Sequence, residues 1–111
     1  MELKLKRKDD IYIIDIEGEM DLYNAEQLRN LFQKMVNKNV TKFVFNMEKV
    51  TYIDSSGIGT LINIYSVTRK KKLKMLLANV SGTTLKVMEL TKLAGFFPLA
   101  PSINDAVRTL E

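Results

Sequence analysis

Apolar residues along this chain change their period several times. Leu3 and Leu5 alternate with charged neighbours, and Ile11, Ile13, Ile14 and Ile16 form a second apolar run. These patterns predict two short strands, with Lys8-Asp9-Asp10 as the hairpin turn between them. Gly18 interrupts the second strand and predicts a bend or bulge. Asp21 to Asn24 supply helix-start chemistry. From Ala25 onward Leu28, Leu31, Phe32, Met35 and Val36 recur at the spacing of one helical face, until Asn37 to Asn39 stop the pattern.

Phe43, Val44, Phe45 and Met47 read as a strand buried on both faces at the centre of a sheet. Val50, Tyr52 and Ile53 lead into Asp54-Ser55-Ser56-Gly57-Ile58-Gly59. Ile58, Leu61, Ile62 and Tyr65 then stand at i, i+3, i+4 and i+7, the signature of a second amphipathic helix. Leu73, Met75, Leu76 and Leu77 predict another buried strand. Ser81 or Gly82 opens a third helix running through Leu85, Met88 and Glu89 toward Leu93, with Gly95 as its stop signal. Phe96 and Phe97 before Pro98 predict a short edge strand, the two rings divided between core and surface. Ser102 with Asp105 resembles a capping box ahead of a last helix carrying Ala106, Val107 and Leu110.

The order is therefore β-β-α-β-α-β-α-β-α. It predicts an α/β fold, a mixed sheet with helices packed on it and right-handed crossovers between parallel strands. At 111 residues the chain is expected to be one domain spanning residues 1–111, with no repeat, linker or low-complexity segment.

Composition narrows the chemistry. The 46% hydrophobic content is ample for a core, yet no run of 18 apolar residues predicts a membrane span. The start, Met1-Glu2-Leu3-Lys4, is charged and alternating, unlike a signal peptide. The chain has no cysteine, which excludes disulfides and thiolate metal sites and suits a cytoplasmic protein. It also has no histidine, so no Ser-His-Asp triad, histidine-ligated metal or histidine base can be built. No paired carboxylates suggest catalysis, and an enzyme is not expected. The net charge of +4 gathers at Lys4–Lys8 and at Arg69–Lys74. These read as solvated edges and a helix C-terminus. No nucleic-acid motif or interleaved aromatic accompanies them, so no direct nucleic-acid contact is expected.

The serine run carries two readings. In the first, Ser55 or Ser56 is a plain N-cap, its oxygen accepting from a first-turn N–H, with Gly57 and Gly59 easing a tight entry and Gly59 permitting close helix packing. In the second, a hydroxyl at a helix N-terminus is a place where phosphate can be accommodated and a kinase can write a switch. Tyr23 beside Asn24 suits a partner contact or an ordinary exposed helix start. Met35, Met47, Met75 and Met88 fall at core spacing.

Wider context weighs on this choice. Ile16-Glu17-Gly18-Glu19-Met20-Asp21-Leu22-Tyr23-Asn24-Ala25 precedes Thr51-Tyr52-Ile53-Asp54-Ser55-Ser56-Gly57-Ile58-Gly59-Thr60-Leu61 by one helix and one strand, and Leu90-Thr91-Lys92-Leu93 precedes Phe96-Phe97 and the terminal helix. Together these blocks resemble the STAS domain, and more narrowly the bacterial anti-sigma factor antagonists, over essentially the whole chain.

The resemblance implies an interaction protein. Unphosphorylated, it would bind an anti-sigma factor that is also a serine kinase, releasing the sigma factor. Phosphorylation at Ser56, the second serine of Asp-Ser-Ser-Gly, would switch binding off. A metal-dependent serine phosphatase would reverse the mark, and the protein would be a monomer or weak dimer without a cofactor of its own. Asp21 would lie near that serine and assist the hydroxyl or the partner contact. Tyr23, Asn24, Asp54, Ser55, Ser56, Gly57 and Ile58 complete the expected docking face. Met20 stands where leucine or isoleucine is usual, Asn46 where aspartate is frequent, and the basic balance differs from many acidic antagonists. A second reading is a STAS docking subunit of a stress-signalling or transport assembly without a kinase cycle. A third is a nucleotide sensor at Gly57, against which no Gly-x-x-x-x-Gly-Lys-Ser/Thr loop is present.

Overall fold

The computed structural model describes residues 1–111. Its elements are β1 (Glu2–Lys8), β2 (Ile11–Met20), α1 (Ala25–Asn37), β3 (Lys42–Ile53), α2 (Ser55–Lys70), β4 (Lys74–Ala78), α3 (Gly82–Leu90), β5 (Leu99–Ala100) and α4 (Ile103–Leu110). They form one five-stranded sheet in the order β1-β2-β3-β4-β5. Only β1 runs antiparallel to its neighbour; β2 through β5 are parallel. The mixed sheet and its helix crossovers match the expectation from sequence.

Alternation along the strands divides the core in two. Ile14, Ile16, Phe43, Phe45 and Leu77 face α1, α2 and α3, where they meet Leu28, Phe32, Leu61, Ile64 and Met88. Phe32, Phe43 and Phe45 form a ring cluster there, Phe32 tilted against Phe43 at 5.0 Å between centroids. Ile11, Ile13, Val44 and Leu76 point to the other face, covered by α4 through Ala106, Val107 and Leu110. A strand buried on both faces must be apolar at successive positions, which is why Phe43-Val44-Phe45 lacks a polar residue.

Three helices end in the same way without glycine. Asn39, Lys72 and Lys92 adopt φ of 67°, 57° and 61°. The next N–H in each case turns back to the carbonyl five residues earlier: Val40 to Met35, Leu73 to Thr68 and Leu93 to Met88. This is the Schellman closure, with an apolar residue just past the turn. It moves the end of α3 away from the expected stop at Gly95, because the chain has already reversed at Lys92.

The last strand is also displaced. Phe96 and Phe97 were expected to form it, but pairing begins only where Leu77 N–H donates to the Pro98 carbonyl at 2.9 Å, and β5 is Leu99–Ala100. Proline lacks an N–H but keeps its acceptor. Phe97 instead lies in the core while Phe96 is half-exposed, the division that the pattern predicts.

Candidate functional site

The site lies at the carboxyl ends of β2 and β3. Met20 and Ile53 are register partners there, so the two residues that follow, Asp21 and Asp54, leave neighbouring strands side by side. Between β2 and β3 the pairing slips by one residue twice, once after Asp15 and once after Gly18, and β3 holds the extra residue each time. Gly18 sits at the second slip with a φ of 100°, a conformation that a side chain would strain.

Both aspartates close their turns by the same device. Asp21 Oδ1 accepts from the N–H groups of Tyr23 at 3.0 Å and Asn24 at 2.9 Å. Asp54 Oδ1 accepts from Ser56 N–H at 2.9 Å and Gly57 N–H at 3.1 Å. Asp54 is therefore the N-cap of α2, which corrects the expectation that a serine performs that role. Aspartate reaches the second and third N–H of the helix as well as serine does, and it precedes both serines. Ser55 and Ser56 fall inside the first turn, and the cap bonds of the loop go to neither hydroxyl. Ser55 is exposed and Ser56 half-buried.

The two turns are locked together through Met20. Its carbonyl accepts from Asp54 N–H at 3.3 Å. A Cβ added to Gly57 would lie 2.3 Å from that same carbonyl oxygen and 2.8 Å from Ile53 Cγ1. Gly57 is thus the residue that lets α2 start against the end of β2. Gly59, expected to permit close packing, has nothing within 4 Å of an added Cβ. A second correction concerns Ile58, whose side chain is only 6% exposed within the core. It anchors the helix from beneath and presents no apolar surface to a partner.

Above this frame the surface is acidic and apolar. Leu22 is 67% exposed and Tyr23 85% exposed, both held outward by the Asp21 turn. Asn24 Nδ2 donates to the Glu19 carbonyl at 3.2 Å, so its amide holds the loop rather than facing the serines. Leu22 was not picked out from sequence. Its signal was an apolar residue between an aspartate turn and a helix start, where no core periodicity needs it. Asp21 spends its bonds on its own loop and makes none to Ser56.

A second polar cluster lies away from the serines, beside the start of α4. Asn46 Nδ2 donates to Asp15 Oδ1 at 2.9 Å, and Asn79 Nδ2 donates to Asn46 Oδ1 at 2.9 Å. Lys6 Nζ lies 3.0 Å from Asp15 Oδ2. Burial pushes the Asp15 carboxyl up, but the Asn46 and Lys6 hydrogen bonds and the charges of Lys6 and Lys49 outweigh it, leaving its pKa below the ordinary value. An aspartate at position 46 would forfeit the donor to Asp15 and place two carboxylates together. The cluster satisfies its own members and reads as interior structure.

The family model described as STAS domain matches residues 2–106. The chain is 23% identical over 93 residues to the anti-sigma-B factor antagonist of Staphylococcus aureus (strain NCTC 8325), covering 84% of this chain and 86% of that one. Among solved structures it resembles the anti-sigma factor antagonist SpoIIAA. The unphosphorylated form gives a TM-score of 0.81 at 23% identity, with 98% and 96% of the two chains covered. The phosphorylated Bacillus form gives 0.75 at 22%, with 99% and 100% covered. A sulfate transporter family protein from Wolinella succinogenes also shares the fold, at a TM-score of 0.76 and 19% identity, covering 92% of this chain and 85% of that one.

Proposed function

The chain belongs to the STAS domain family, and from that premise we propose that it is an anti-sigma factor antagonist switched by phosphorylation of Ser56. The supporting observation is the first turn of α2. There a half-buried serine follows an aspartate cap on a backbone fixed by Gly57, beside the exposed pair Leu22 and Tyr23. In this reading the unphosphorylated turn docks an anti-sigma factor with serine kinase activity, in the cytoplasm. Leu22 and Tyr23 supply the apolar anchors and Asp21, Asp54 and Ser55 the polar rim. The chain is the kinase's protein substrate and not a catalyst; a metal-dependent serine phosphatase restores the hydroxyl.

The cap explains how the mark would act. Phosphate adds a charge of about −1.5 to −2. The helix start favours an anion, yet the Asp54 carboxylate already occupies the Ser56 and Gly57 N–H groups. The phosphate therefore adds charge beside an existing carboxylate with those donors taken, and projects it toward the partner. A thousandfold loss of affinity requires about 4 kcal/mol, within reach of a charged group that docking would desolvate. The sheet and core lie below the turn and need not change.

Incubation with the anti-sigma kinase and ATP should place one phosphate on the peptide containing Ser56, and Ser56→Ala should abolish it. Leu22→Ala and Tyr23→Ala should each weaken docking at least fivefold. A chain left unmodified, with docking indifferent to both apolar changes, would remove the proposal. The likeness to the sulfate transporter family protein favours a second reading, a docking subunit using the same face without a kinase cycle.

A further inference from the structure

We propose that the end of the molecule opposite the serine turn binds single-stranded nucleic acid, through its phosphates and by base stacking, without selecting sequence. The argument begins with where the fold sends its cations. Helices α1 and α2 both return from the serine end, so their C-termini emerge together. The Lys74 N–H donates to the Thr41 carbonyl at 2.9 Å, which ties the two following turns to each other. Lys42 and Lys74 are direct register partners at the starts of β3 and β4. Lys34, Lys38 and the run Arg69–Lys72 complete the cluster. Against these eight cations the same end offers Asp9, Asp10 and Glu111; Asp10 pairs with Lys42 at 3.2 Å, and Glu111 pairs with Lys8 at 3.8 Å. Basic side chains thus outnumber carboxylates at this end of the molecule.

Helix C-termini account for part of this charge, since their carbonyls favour cations. They do not account for Lys42 and Lys74, which stand side by side at the strand starts, where only Lys42 has a carboxylate, that of Asp10, beside it. Lysine supplies seven of the eight cations. Lysines act as point charges that follow a phosphate chain without the bidentate geometry of arginine.

The second observation is a groove that the sequence did not reveal, because its aromatic residues come from distant segments. Ile62, Tyr65, Ser66, Arg69, Lys70 and Phe96 line a cavity of about 320 Å³. Phe96 is 43% exposed and stands edge-on to Tyr65 at 5.4 Å. The Arg69 guanidinium lies 5.7 Å from the Tyr65 ring centre. A neighbouring cavity of about 380 Å³ shares Tyr65 and Arg69 and leads to Lys74. Half-exposed rings flanked by cations along an open groove are the elements of a single-strand site, where bases stack and phosphates track the charge.

Geometry separates this partner from the others. A duplex keeps its bases stacked inside and cannot offer one to Phe96. A membrane surface would call for several protruding apolar side chains among the lysines, and of the groove's lining only Phe96 is a large apolar side chain that is exposed. A mononucleotide would leave most of the cations unused. The lysine run at the end of α2 stands about 21 Å along the helix from Ser56, and the near edge of the groove at Ile62 about 9 Å from it.

The test is fluorescence anisotropy on the full chain with a labelled 20-nucleotide poly(dT). Binding is expected at 50 mM KCl and should weaken roughly fiftyfold at 200 mM if about four phosphates are neutralised. Replacing Lys70, Lys71 and Lys72 together by Gln should weaken binding at least tenfold and flatten the salt slope. Phe96→Ala should weaken it about fivefold or more with the slope unchanged. Ser56→Asp should bind like the unmodified chain, so failure of the serine switch would leave this result standing. Absence of oligonucleotide binding at 50 mM KCl would overturn the proposal. So would a duplex bound as tightly with Phe96→Ala silent, ATP competing as well as the oligonucleotide, or a preference for phosphatidylserine vesicles. Thermal melts of each variant exclude loss of fold.

Discussion

Two glycines in one helix turn should respond to the same substitution with opposite signs. Gly57→Ala places a methyl group 2.3 Å from the Met20 carbonyl oxygen, about 1 Å inside ordinary contact. The oxygen belongs to backbone at the end of β2 and cannot rotate away. Relief requires the start of α2 to move, which stretches the Asp54 N–H bond to Met20, already 3.3 Å. Overpacking costs about 1–3 kcal/mol and the lost bond about 1 kcal/mol. Alanine returns about 1 kcal/mol of helix propensity. The net is a destabilisation of about 1–3 kcal/mol, or roughly 4–12 °C in the melting midpoint for a domain of this size. Gly59→Ala meets nothing within 4 Å, so the propensity gain alone remains, about 0.5–1 kcal/mol in favour of the fold. Urea and thermal unfolding followed by circular dichroism measure both. If Gly57→Ala melted at or above the unmodified chain, the two strand ends would not be locked as described, and the serine turn would have no fixed frame.

Two further outcomes follow from the interior. The folded-state pKa of Asp15 lies below its ordinary value, so its contribution to stability is present above the unfolded pKa of about 4. That contribution is lost as the pH falls through the folded value. Asp15→Asn should therefore flatten the decline of stability below about pH 4, and an undiminished decline in urea midpoints would assign it to other carboxylates. The hydroxyl of Thr84 is buried in α3 without a hydrogen-bond partner. Thr84→Val removes that unsatisfied group with little change of volume and should stabilise the fold by about 1 kcal/mol, read as a rise in the urea midpoint.

Most of the fold was legible because its signals are periodic. Strands such as Phe43-Val44-Phe45 and helices such as Leu28–Val36 declare themselves by spacing, and their order admits few topologies. What escaped was set by single contacts between distant segments. No local rule distinguishes Gly57 from Gly59; the carbonyl of Met20, brought there by the β2–β3 register, does so. N-cap preferences rank serine and aspartate alike, so they do not choose among Asp54, Ser55 and Ser56; Asp54 stands nearest the strand end and takes the position. Gly95 is a good stop signal that the chain never reaches as a helix, because Lys92 accepts a left-handed φ once Leu93 can bury beneath it. Ile58 fitted both a partner face and a core stripe, and only packing assigns it to the core. The exposure of Leu22 and the convergence of Tyr65, Phe96 and Arg69 depend on loops, where periodicity carries no information.

The central claim is that one esterified hydroxyl at position 56 repels a docking protein while the scaffold beneath it stays intact. Titration calorimetry of the anti-sigma kinase against the chain, before and after stoichiometric phosphorylation at Ser56, measures it directly. The account predicts an affinity loss of about a thousandfold, or about 4 kcal/mol, with a melting midpoint unchanged within a few degrees. Equal affinity of the two forms, or a loss of affinity that tracks unfolding of the phosphorylated chain, would contradict it.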